Sequence, residues 1–231
     1  MINKFTFSPW AYLLLLFPVV SAILALNHFG FLFKSGTAGT GILILWLLFR
    51  PKLPQAKDIL MLMAAFVFSI AGDWYLSNRQ GNSNMFVAGI VFFFFAHAGY
   101  LYYALVNGKV KWKLTAVLLS AYLAFFFLKL FPSFTNMALM WAALVYLVIS
   151  CFSLGAATGL QGDPVSKVAY IFGIFLILLS DTIIAFKEFA GYKELNFLIL
   201  PTYYFAHIAI VFSLIRRHLT EPETKKQKGG I

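Results

Sequence analysis

Eight apolar runs, each close to the length of a bilayer's hydrocarbon core, occupy the chain from residue 9 to residue 217 and leave little room for another architecture. A spanning helix needs about 20 mostly apolar residues, within a range of about 17–25. On that measure helices are predicted near 9–27, 36–50, 58–77, 84–107, 112–130, 135–158, 166–187 and 196–217. Only 11% of the residues are charged and 61% are hydrophobic, where a soluble domain carries about 25% charged residues. The fold class implied is an all-α integral membrane protein with eight transmembrane helices. A single membrane domain is expected over residues 1–218, with a charged, disordered tail at 219–231. The second run is short and Gly36, Gly39 and Gly41 crowd its start, so a bent or partly re-entrant helix is expected there. The first run looks like a signal peptide's apolar core, but no small-x-small cleavage pattern closes it, so it is read as the first helix.

The net charge of +10 does not make a nucleic-acid surface, because the basic residues sit in short gaps between the runs. Their sides are unequal. The termini and even-numbered gaps hold Lys4, Arg50, Lys52, Lys57, Lys109, Lys111, Lys113, Lys167, Arg216, Arg217, Lys225, Lys226 and Lys228, thirteen in all. The odd-numbered gaps hold five: Lys34, Arg79, Lys129, Lys187 and Lys193. Basic residues stay on the cytoplasmic side, so a multi-pass cell-membrane protein with both termini cytoplasmic is expected. The lone cysteine, Cys151, lies in an apolar run and reads as a buried, inert thiol.

Four ionisable groups interrupt the runs: Asp73, His97, Asp181 and His207. Each costs about 2.5–3.5 kcal/mol at the bilayer centre on insertion scales, which makes intramembrane aspartate and histidine functional candidates. The plain alternatives are aspartates solvated at helix ends and histidines that merely pack. Against these, Ser69 stands four residues before Asp73 on one helical face and Ser180 directly precedes Asp181. With both termini inside, Asp73 and Asp181 fall in the outer third of helices three and seven, and His97 and His207 near the midplane. A shared pocket opening outward is expected. Tyr100, Tyr102 and Tyr103 have a bland reading as an interfacial aromatic belt. Zincin, nucleophile-elbow and phosphate-loop spacings are missing, and neither a metal nor a cofactor is expected.

The halves echo each other. Phe95-Ala96-His97 on helix four matches Phe205-Ala206-His207 on helix eight, and Gly-Ile precedes both His97 and Asp181 by eight residues. Asp73 leads His97 by 24 residues and Asp181 leads His207 by 26. A parallel 4+4 internal repeat is expected, with halves of about 9–107 and 112–217, and an axis along the membrane normal.

These motifs carry a family resemblance. Phe68-Ser69-x-x-Gly72-Asp73-x-x-Leu76, Ala96-His97-x-x-Tyr100, Ser180-Asp181 and Tyr203-Tyr204-x-Ala206 resemble the YhhN family of lysoplasmalogenase-like membrane proteins, from Lys34 to about Leu214. The chain departs from the family pattern at His207, where Gln is usual, and at Ser35, where Pro is usual after the lysine. The resemblance implies a lysolipid hydrolase that cleaves the vinyl-ether bond of lysoplasmalogens to a fatty aldehyde and a glycerophospho-base. Asp73, Asp181 and His97 are its expected catalytic residues, with Ser69, Ser180, Tyr100, Tyr203, Tyr204, His207 and Lys34 binding substrate or supporting them. The partners implied are a lysophospholipid and membrane lipids. Such chemistry resembles glycoside cleavage, with two carboxyls dividing acid and base work. Paired Asp/His sites at a repeat interface also suit a small-molecule or proton-coupled transporter, and a lipid-binding protein without chemistry is a third reading. The charge split makes one prediction here: a topology reporter fused after Ile231 reads as cytoplasmic.

Overall fold

The structure, a computed structural model, describes residues 9–220. The expected charged tail therefore lies outside the described residues from 221 onward. Eight helical segments follow in order. α1 is Leu16–Leu26, led in by a 3₁₀ turn over Pro9–Leu15. α2 is Phe31–Phe49, α3 Lys57–Asn78 and α4 Ser83–Val106. α5, Trp112–Phe125, runs on through a π segment at Phe126–Leu130 and a 3₁₀ turn at Phe131–Ser133. α6 is Met137–Ala157, α7 Pro164–Phe189 and α8 Asn196–Thr220.

Seven of these are long and apolar enough to cross a membrane, and α1 with its lead-in is shorter. A 3₁₀ turn rises about 2.0 Å per residue against about 1.5 Å in an α-helix. The stretched first turns thus bring α1 with its lead-in to about 30 Å, a bilayer's hydrocarbon thickness. The outer surface matches that solvent, since Leu32, Leu128, Val117 and Phe197 are each about 70% exposed or more. A water-facing shell of this kind would be an aggregation surface; in lipid it is the ordinary exterior.

Asparagine and aspartate side chains cap three of the helix starts. Asn82 caps α4 by accepting from the backbone N–H groups of Asn84 and Met85, and Asn136 caps α6 through Leu139. Asp163 caps α7 through Ser166, with Pro164 in the first turn. The Arg216 guanidinium beside it holds the Asp163 carboxyl below the usual carboxylate range.

α2 corrects the expectation of a bent or re-entrant segment. It begins at Phe31 rather than near 36 and runs unbroken through all three glycines. Broken backbone facing lipid would leave its N–H and C=O groups unpaired. The glycines serve contact instead: a Cβ on Gly36 would collide with Ser21 Oγ, and one on Gly41 would lie 2.8 Å from the Phe66 ring.

Small residues also set the two main hairpins. α3 lies along α4, and α7 along α8. A Cβ on Gly99 would stand 2.6 Å from the Met61 carbonyl oxygen, and one on Gly173 2.9 Å from the Ala206 carbonyl oxygen. Between helices in lipid, such close approach supplies the packing that water would otherwise drive. Across the halves, α2 touches α8 and α4 touches α6, while α1 pairs with α2 and α5 with α6. A doubled four-helix unit would produce this neighbour pattern, and the duplication stays a proposal. Burial ranks the helices: half of the apolar window of α8 is buried, 44% of that of α7 and 39% of those of α3 and α4, but 17% of that of α5 with its extension. The inner bundle is therefore α3, α4, α7 and α8.

Overpacking a close helix contact costs typically about 1–3 kcal/mol. Gly99→Val should therefore lower the stability of the detergent-solubilised protein by about that amount. Gly39→Ala, whose new methyl would meet only Ile70 at 3.9 Å, should leave the unfolding midpoint within error.

Candidate active site

The inner helices meet at one end of the bundle, where α3 and α7 finish and α2, α4 and α8 begin. There they enclose a polar cavity of about 300 Å³. Lys34, Asp73, Ser180, Asp181 and Tyr203 all line it. So do Arg79, Lys187, Glu188 and Asn196, which reasoning on the motifs missed. The chamber thus carries three cations and three carboxylates. Arg79 and Glu188 close a 2.7 Å ion pair between the ends of α3 and α7, with Lys187 3.5 Å from the same oxygen.

The two aspartates differ in their partners. Asp73 Oδ1 lies 3.8 Å from Lys34 Nζ, which instead donates a 2.7 Å hydrogen bond to Ser77. Asp73 Oδ2 is buried without an aligned hydrogen bond, and the Tyr203 hydroxyl stands beside the carboxyl as the donor nearest to it. Asp181 Oδ2 accepts a 2.6 Å hydrogen bond from Tyr146 of α6. His97 Nε2 stands 3.5 Å from that oxygen without hydrogen-bond alignment, and both its ring nitrogens are unpartnered. His97 is 1% exposed and does not line the cavity; it stands behind Asp181.

A buried polar row runs beneath the chamber. His207 Nδ1 is 3.0 Å from the Tyr203 carbonyl, which can only accept, so that nitrogen carries the proton. In the neutral ring Nε2 is then an acceptor, and Tyr100 donates to it at 3.4 Å. The Tyr100 oxygen in turn receives the Ser69 hydroxyl at 3.1 Å. Ser69 thus pairs with Tyr100 rather than standing as a partner for Asp73. Tyr100, 1% exposed, is part of this row and not of an interfacial belt. Ser180 donates to the Ile199 carbonyl at 3.0 Å and ties α7 to α8 at the cavity wall. Tyr204 does not line the cavity; with Tyr203 it joins a cluster that includes Ala22 and Ala25 of α1, within electrostatic reach of Asp73. Among the described residues no three His, Cys, Asp or Glu side chains gather as a metal site.

A second cavity, narrow and apolar at about 90 Å³, runs between α5, α6 and α7. Phe125, Phe126, Leu130, Ala143, Leu147 and Phe189 are among its lining. Asp181, with Leu76, Phe86, Phe93 and Ile184, lines both cavities. Tyr146 was missed although it carries the only hydroxyl in the run 137–149, which is itself a signal.

The row beneath the chamber makes a prediction. His207→Gln supplies one acceptor and one donor and should hold Tyr100 in place. His207→Leu takes away the Tyr100 acceptor and should lower stability by about 1–3 kcal/mol, the range for a buried group left unpaired, as read by thermal unfolding in detergent.

A family model described as the YhhN family matches residues 31–214. The chain belongs to that family. No curated protein and no solved structure matches it.

Proposed function

We propose that this YhhN-family protein is a membrane-embedded lysolipid hydrolase of the lysoplasmalogenase kind, cleaving the vinyl ether of lysoplasmalogens by acid–base chemistry between Asp73 and Asp181. The observation that carries the reading is the junction at Asp181. A charged chamber and an apolar groove share that carboxylate as a common wall. In a lysoplasmalogen the vinyl ether is the junction of glycerophospho-base and alkyl chain. A head in the chamber and a tail in the groove bring that bond to Asp181, with Asp73 lining the same chamber.

The chemistry suits two carboxyls. A vinyl ether hydrolyses by protonation of its β-carbon, which leaves an oxocarbenium ion at the α-carbon. Water adds to that carbon and loses a proton to a base, giving a hemiacetal. Collapse of the hemiacetal releases the aldehyde and the glycerol hydroxyl. No nucleophilic side chain and no cofactor is required for this sequence. Carboxyls facing each other across an oxocarbenium ion divide the same work in glycosidases. A carrier would also use paired charges in a central cavity, but an apolar cavity that shares the Asp181 wall with the charged chamber favours an amphiphile.

Purified protein in detergent should release fatty aldehyde from a lysoplasmalogen and no fatty acid from an ester-linked lysolipid. Asp73→Asn and Asp181→Asn should each lower turnover by about 10²–10⁴-fold, the usual worth of a general acid or base, with folding unchanged. Well-folded variants that turn over at the parent rate would defeat the reading.

A further inference from the structure

We propose that Tyr146 is a positioning residue that holds Asp181 as the anionic member of the pair, leaving Asp73 as the catalytic acid; the assignment rests on the function proposed above. The two carboxyls share one chamber, yet their surroundings ask for different protonation states.

Asp181 is faced by Tyr146 of α6, His97 of α4, Tyr122 of α5 and Asp73 of α3. The Tyr146 contact is 2.6 Å. That falls within the 2.5–2.7 Å typical of an O–H donor on a charged oxygen and is shorter than the common neutral pair. The Asp181 side chain is also the more accessible of the two, 16% exposed against 7% for the Asp73 side chain. One of its oxygens thus meets a fixed donor, and the carboxylate keeps some access to water.

Asp73 is faced by Lys34 of α2, Tyr203 and Tyr204 of α8, and Asp181 of α7. Lys34 favours a charge there, but from 3.8 Å and with its ammonium bonded to Ser77. No hydrogen bond reaches Asp73 Oδ2. A buried carboxylate oxygen without a donor is costly, and a second negative charge in the chamber raises that cost. A proton on Asp73 removes both penalties and is the proton that the vinyl ether needs. The Tyr203 hydroxyl stands beside Asp73 as the nearest neutral donor, but no aligned hydrogen bond joins the two, so it does not offset the burial of a charge there.

The assignment closes a cycle. Asp73 gives its proton to the β-carbon and becomes a carboxylate. Asp181 takes a proton from the water that adds to the α-carbon and becomes an acid. On hemiacetal collapse Asp181 returns that proton to the glycerol oxygen, and Asp73 takes the hemiacetal hydroxyl proton. The C–O bond breaks, and both residues regain their starting states. Nothing but water is consumed.

Tyr146 stands outside this exchange and acts through Asp181. Its ring also packs edge-on against His97, with centroids 5.2 Å apart, so Tyr146→Phe keeps the packing and removes only the donor.

The test reads protonation in the infrared at neutral pH, on the full-length protein without substrate. The parent should show a protonated-carboxyl carbonyl band. Asp73→Asn should abolish it and Asp181→Asn should retain it. Tyr146→Phe should keep the Asp73 band and lower kcat at least tenfold with little change in KM. A band that vanishes with Asp181→Asn and survives Asp73→Asn, or no band in the parent, overturns the assignment. So does a well-folded Tyr146→Phe protein with the parent kcat. The infrared arms need no turnover, so a protein inactive on vinyl ethers would defeat the function and leave them readable.

Discussion

Hydrocarbon solvates neither a backbone amide nor a carboxylate, and that single constraint shapes every level of this structure. At the level of backbone it allows helices and little else. It is why α2 passes through three glycines without breaking, and why α5 pairs its last turns in π and 3₁₀ geometry before Phe134. At the level of side chains it drives Asp73, His97 and His207 into the bundle, where each is 5% exposed or less. A polar group that faced acyl chains would lose more than any packing contact returns.

The hairpins follow from the same constraint. With no hydrophobic gain from pressing one apolar helix on another in lipid, α3–α4 and α7–α8 are held by close backbone approach at Gly99 and Gly173. Bonds between helices add to this, as where Ser166 and Ser213 each donate to the other's carbonyl across α7 and α8. The end of the bundle where α7 begins and α8 finishes is locked by charge as well. Arg217 reaches Asp58 at 3.4 Å and the Tyr103 hydroxyl at 2.9 Å, and Arg216 reaches Asp163. One end is thus closed by ion pairs, and the other keeps its charges around a cavity.

That asymmetry lets one carboxylate border two solvents. Asp181 shares a wall with a chamber of lysines, arginine and carboxylates and with a groove of phenylalanine and leucine. A reaction at the junction of an amphiphile's head and tail needs such a wall. Tyr146 and His97 stand behind it and leave the chamber side of Asp181 open.

The sequence by itself determined the eight helical segments and the elements that carry the two aspartates, because a span of hydrocarbon length is a local fact. It also expected Asp73, Asp181, His97 and His207 to share one pocket, since ionisable groups in lipid turn toward each other; the two aspartates line the chamber and the two histidines lie buried outside it. It failed where direction about a helix axis decides. Ser69 turns to Tyr100, and α2 runs unbroken through glycines of which two meet Ser21 and Phe66 on other helices. Tyr146 could not be joined to Asp181 from spacing, because they lie 35 residues apart on helices whose relative rotation is set by packing alone. Only the tertiary structure could give the two aspartates different partners, since a carboxyl's surroundings are assembled from five helices and belong to none of them.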